Sequence, residues 1–148
     1  MKTITLYEPW ASWIAAGCKT IETRTHDRFR CLVGSRIAIH AGRAYDHCAR
    51  AEARRVLAAA GQPVPRAQCR LGQVVCTVEV FDARWLRAAD SVAAMCDCRP
   101  DLESGFQRFG IFLRDPIAIE GPSVRGRQGI WNWTPAEQCP CRGDRRSP

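Results

Sequence analysis

Gly17-Cys18-Lys19-Thr20-Ile21-Glu22-Thr23-Arg24 is the stretch from which the rest of this chain is read. A glycine takes the left-handed conformation without strain and so ends helices readily. The residues after it alternate: Ile21 and Thr23 fall on one face of a strand, and Thr20, Glu22 and Arg24 on the other. With Ile21 turned into the core, Glu22 and Arg24 emerge side by side, and Lys19 enters from the preceding turn. Composition also marks Lys19. Of 22 Lys and Arg residues only Lys2 and Lys19 are lysine. A compact ammonium on a flexible stem, able to lose its proton when desolvated, offers what a guanidinium cannot. The competing reading is plainer: a helix end, a polar surface strand, and a Glu22–Arg24 surface pair worth about 0–1 kcal/mol.

Upstream, Thr3 to Tyr7 reads as a strand, and Glu8-Pro9 opens a short helix, since proline is tolerated in the first turn. Trp10, Trp13 and Ile14 share one face of that helix. Downstream, a loop over 27–35 leads to a strand over 36–41. Ala49, Ala53, Val56, Leu57 and Ala60 form the apolar stripe of a helix over 46–60, leaving Arg50, Arg54 and Arg55 on its solvated face. Residues 72–81 alternate as a strand, with Val74, Cys76, Val78 and Val80 facing one way. A short helix is expected near 90–96. Strands over 110–113 and 117–119 are separated by Asp115-Pro116, and Ile130 to Trp133 closes the domain. Short strands with two or three inserted helices, without a strand–helix–strand rhythm, predict an α+β fold built on a small β-barrel of about five to six strands. The domain is expected over residues 1–134, with a polar, disordered tail over 135–148.

The length suits one domain with a single core. No apolar run is long enough to span a membrane, and the first residues lack the pattern of a secretion signal, so a cytoplasmic protein is expected. Nine cysteines, an odd number, then read as reduced thiols. Cys48 and Cys76 are expected to be small buried hydrophobes. Cys96 and Cys98, with Cys139 and Cys141, could offer four thiolates, but the one-residue gaps are tighter than zinc knuckles use, so no metal and no cofactor is expected. The formal net charge of +7, carried mostly by arginine, favours a polyanionic partner. The oligomeric state is left open by the sequence.

Taken together, Leu6-Tyr7-Glu8-Pro9-Trp10-Ala11, Gly17 to Arg24, Ile37-Ala38-Ile39-His40-Ala41, the strand after Gly72 and Gly126-Arg127-Gln128-Gly129-Ile130-Trp131 resemble the ASCH family, in the family's order and over roughly residues 3–133. The resemblance implies a PUA-like barrel with a cleft beside the Lys-Glu-Arg strand, where related domains bind RNA or modified nucleosides. Some members hydrolyse acetylated cytidine with a lysine, a threonine and a glutamate, and others have been proposed to cut RNA. Their lysine falls on Lys19. Their threonine falls on Glu22, a carboxylate that cannot be the same nucleophile, although Thr20 and Thr23 lie nearby. Glu79 is a candidate for their glutamate.

The expected site therefore has Lys19, Glu22 and Thr20 as catalytic candidates. Its ligand-binding candidates are Tyr7, Pro9, Trp10, Arg24, His40, Arg43 and Trp131. Lys19 and Arg24 would hold a phosphate or polarise a carbonyl, with Glu22 orienting one of them or accepting a proton. Aromatic residues could stack on bases, about 1–3 kcal/mol each, although a small core also consumes tryptophans, Trp13 and Trp133 above all. His40 reads as a hydrogen-bonded structural histidine or as a base. Two functions follow: a module that binds RNA or a nucleoside, and a hydrolase (amidohydrolase or ribonuclease) in which Lys19 and Glu22 exchange protons. The missing threonine favours the first. A protein-interaction barrel with no nucleic-acid role is the third.

Overall fold

The computed structural model describes residues 1–135. It is a mixed α+β fold in which six strands form one sheet: β1 (Lys2–Glu8), β2 (Ile21–Arg24), β3 (Arg36–Tyr45), β4 (Val74–Trp85), β5 (Phe109–Ala118) and β6 (Ile130–Asn132). Their order across the sheet is β2-β5-β4-β3-β1-β6. Only β1 and β3 run parallel, Thr3 beside Ala38 and Thr5 beside His40, and the other neighbours are antiparallel. The expected count of strands holds, but the sheet is open: among the described residues β2 and β6 are its edges and share no ladder. Both edges are short, four and three residues, and each meets only one neighbour.

Three helices are inserted, α1 (Trp10–Ala15), α2 (His47–Ala59) and α3 (Ser91–Ala94). Helix α1 is too short to persist by propensity, and packing holds it: Trp13 and Ile14 are each 1% exposed. It stops as the sequence suggests. Gly17 takes φ +73, and the amides of Cys18 and Lys19 both donate to the Trp13 carbonyl, at 2.9 and 3.1 Å. That turn delivers Lys19 to the start of β2.

The main core lies between α1, the 3-10 turn Arg28–Leu32 and the sheet, around Ile4, Leu6, Ile37, Ile39, Val78 and Ile111. A second cluster joins Ile21 of β2 to Leu86, Ala94, Cys96, Cys98 and Phe112. Two expectations are corrected. Asp115-Pro116 does not divide two strands; β5 runs through it. Thr77 pairs with Ile117 and Glu79 with Arg114, so β5 carries one extra residue there, and Asp115 takes φ 50. Such a bulge accommodates a proline that has no N–H for the ladder. Cys48 is exposed, not buried, because the buried stripe of α2 is Ala49, Ala53 and Leu57 and Cys48 sits one position off it. Cys76 is buried as expected.

Candidate functional site

Lys19 is a buried cation, 2% exposed. Its Nζ donates to the carbonyls of Ile21 at 2.5 Å and Ala94 at 2.6 Å, lies 3.8 Å from Glu22 Oε2, and stands 4.7 Å from the centre of the Trp10 ring. Three acceptors and an aromatic face thus surround one ammonium. Burial pulls its pKa below the ordinary 10.5, with Glu22, Cys96 and Cys98 pulling the other way. Glu22 is buried as well, 5% exposed, and its second oxygen accepts from Arg24 Nη1. Arg24 continues outward over the Phe29 ring, 4.9 Å from its centre. The strand alternation accounts for this chain of contacts: Glu22 and Arg24 share a face, and Lys19 reaches Glu22 from the turn. Ile21 points into the second core cluster, anchoring the register.

A cleft of about 1400 Å³ opens where Glu22 and Arg24 meet the middle of β1, the β3 segment from His40 to Ala44 and the loop 125–129. Tyr7, Trp10, Glu22, Arg24, His40 and Arg43 all line it. Lys19 does not; it lies behind Trp10 and Glu22. Thr20 is exposed, outside the cleft, and its amide donates to the Ala93 carbonyl at 3.1 Å. Pro9 is buried at the N-cap of α1 and off the cleft surface. Trp131 supports the floor indirectly: its indole N–H donates to Thr5 Oγ1 at 3.1 Å, and its ring stands edge-on to His40 at 5.7 Å. Glu79 is outside the cleft, paired with Arg114 at 2.5 Å.

His40 is 1% exposed, and its Nε2 bonds to the Val124 carbonyl at 3.1 Å. A carbonyl only accepts, so Nε2 carries a proton, while the buried Nδ1 has no hydrogen-bond partner among the described residues. Gly126 presses against the ring so closely that a Cβ there would lie 2.6 Å from Cε1 and Nδ1. Only glycine fits that approach.

The cleft also holds residues that sequence reasoning did not single out. Arg28, Arg125 and Arg127 line it with Arg24 and Arg43. Arg28, Arg43, Arg125 and Arg127 are exposed and, among the described residues, form no salt bridge. Arg125 and Arg127 flank Gly126, so the late glycine motif carried that signal. Glu8 was missed as well. It is fully buried, and its carboxylate accepts from the Ser12 amide (3.0 Å), the Ser12 hydroxyl (2.8 Å) and the Arg70 amide (3.1 Å), fixing α1 against the chain that leads to β4.

The sequence model of the ASCH domain matches residues 4–114. The chain belongs to the ASCH domain family. Solved structures agree on the fold. ASCH from Zymomonas mobilis aligns over 92% of this chain and 88% of its own, at 16% identity and a TM-score of 0.56. A serine-to-alanine mutant of the Zymomonas mobilis protein aligns over 92% and 89%, at 17% identity and a TM-score of 0.54. No curated protein matches the sequence. In this ASCH domain no group of three or more His, Cys, Asp or Glu residues among the described residues is placed to hold a metal; Cys139 and Cys141 lie outside them. No described helix is long and apolar enough to cross a membrane.

Proposed function

We propose that this ASCH domain binds RNA or a nucleotide in the cleft beside β2, with the bases against Tyr7 and Trp10 and the phosphates on the arginine rim. One observation carries the reading: four arginines without a salt bridge among the described residues surround a cleft whose single lining carboxylate, Glu22, is already held by Lys19 and Arg24. The net field at the mouth is therefore positive, and such clefts concentrate polyanions. Tyr7 is 59% exposed on this surface, available for stacking rather than spent on the core. The resemblance to RNA- and nucleoside-binding relatives supports the same ligand class. The finer architecture it implies is a PUA-like barrel.

Hydrolysis is less well supported. A general base needs a free lone pair within reach of substrate, whereas Lys19 directs its N–H groups at two carbonyls and Glu22, behind the cleft wall. Glu22 reaches the cleft, but already accepts from Arg24. Lys19 and Glu22 act in this reading as the support that aims Arg24.

The test is a salt series of single-stranded RNA binding by fluorescence anisotropy, with acetylcytidine hydrolysis followed in parallel. Wild type should bind with affinity that falls as salt rises, and the double variant Arg43→Ala/Arg127→Ala should flatten that slope by roughly one to two counterions. Product formed by wild type would replace the binding reading with the hydrolase. Negligible affinity at physiological salt would leave a protein-interaction domain.

A further inference from the structure

We propose that Cys96 and Cys98 are a modification site, a dithiol that a hydroperoxide converts reversibly to an intramolecular disulfide. Their sulfurs lie 3.8 Å apart within hydrogen-bonding reach of each other, in the turn that follows α3. That turn is held open to this geometry by its own contacts. The Cys96 amide donates to the Ser91 carbonyl at 3.2 Å, the Cys98 amide donates to Ser91 Oγ at 3.0 Å, and Arg108 Nε donates to the Asp97 carbonyl at 3.1 Å. A disulfide needs about 2.05 Å between sulfurs, so a closure of roughly 1.8 Å, within the sweep of two χ1 rotations, completes it.

The surroundings separate the two thiols chemically. The hydrogen bond shared with Cys98, with the nearby Lys19 ammonium and the Arg108 guanidinium, holds the Cys96 thiol below its ordinary value despite burial. The same hydrogen bond and burial push Cys98 upward. Cys96 is thus the nucleophile and Cys98 the resolving thiol. The Cys96 thiol gives up its proton and its sulfur attacks the peroxide oxygen, forming a sulfenic acid; the O–O bond breaks, and the departing hydroxide or alkoxide takes up that proton and leaves as water or an alcohol. The Cys98 sulfur then displaces hydroxide from Cys96, and its own proton leaves with that hydroxide as water. Two thiols lose two hydrogens and two electrons, and one hydroperoxide is reduced. Both sulfurs are buried, but they flank the partly exposed Asp97 and follow a helix of a single turn, the kind of element that opens locally at low cost. The four exposed cysteines of the described residues, Cys18, Cys31, Cys48 and Cys69, lack this arrangement. Oxidation reaches the support behind the cleft wall, because it tightens the turn just after the Ala94 carbonyl that holds Lys19.

The experiment is oxidation of the full chain with one equivalent of hydrogen peroxide, blocking of free thiols with N-ethylmaleimide under denaturing acid, and mass mapping of the tryptic peptide 88–108. That peptide carries both cysteines and no others. The expected result is loss of two hydrogens from it, without maleimide addition, and recovery of two alkylatable thiols after dithiothreitol. In Cys98→Ser, Cys96 should instead be trapped by dimedone as a sulfenic acid. Two maleimides on the peptide after oxidation, or a mixed disulfide joining it to another peptide, would overturn the proposal. A Cys98→Ser protein whose Cys96 gives no dimedone adduct would overturn the assignment of the nucleophile.

Discussion

Replacing Lys19 by methionine keeps the apolar stem against Trp10 and deletes the ammonium. The Ile21 and Ala94 carbonyls lose charged donors at 2.5 and 2.6 Å, and Glu22, 5% exposed, retains Arg24 alone. Hydrogen bonds to a charged group contribute about 1.5–3 kcal/mol each, and breaking a buried pair by removing one partner costs about 3–5 kcal/mol. These overlap rather than add. Relief of the ammonium's desolvation acts in the opposite direction, so a loss of about 3 kcal/mol is expected. With a urea slope of about 2 kcal/mol/M, the unfolding midpoint followed by far-UV circular dichroism should fall by roughly 1.5 M. The pH dependence has a definite sign. The folded pKa of Lys19 lies below 10.5, so in the window between that value and 10.5 the unfolded chain holds a proton that the folded chain has released. Stability from this group rises with pH across the window, a rise that the methionine variant lacks, and the gap between the two proteins should widen as pH approaches 10.5. Adding Glu22→Gln should recover about 1 kcal/mol of the loss, since the uncompensated charge is gone. A midpoint shift below about 0.5 M, with no widening at high pH, would refute the view of Lys19 as a structural cation and return it to a role in chemistry.

Two further outcomes test the frame around the site. Glu8→Gln leaves one oxygen to serve the Ser12 hydroxyl, Ser12 amide and Arg70 amide, so thermal unfolding should report a loss of about 1–3 kcal/mol. Gly110→Ala places a Cβ 2.3 Å from Leu86 Cδ2 and 3.0 Å from Ile21 Cγ2; the overpacking should cost about 1–3 kcal/mol by chemical denaturation.

Local patterns carried much of the fold. Alternation in β2 and β4, the stripe of α2 and the glycine after α1 depend on residues within one or two turns of each other, and the structure reproduces each to within a few residues. Trp13 and Trp133 are buried, at 1% and 6% exposure, as large apolar residues in a small core should be. The bulge at Asp115-Pro116 was not legible because it depends on β4 lying opposite, which a strand cannot announce by itself. Cys48 failed for a related reason: cysteine's tendency to be buried is weaker than the geometry of a helix whose stripe is one position away.

The same division runs through the site. That Lys19, Glu22 and Arg24 are neighbours follows from local order alone, because a turn and a two-residue period fix their succession and face. Tertiary packing assigned each of them its task. The Ala94 carbonyl, 75 residues away, arrives through α3 and takes Lys19 into the wall, while Arg125 and Arg127 come from the far end of the domain to ring the cleft with Arg43. Short-range periodicity says which way a side chain points; only long-range packing sets whether it meets a carbonyl, a thiol or open solvent, and that partner sets its charge, its freedom and its chemistry.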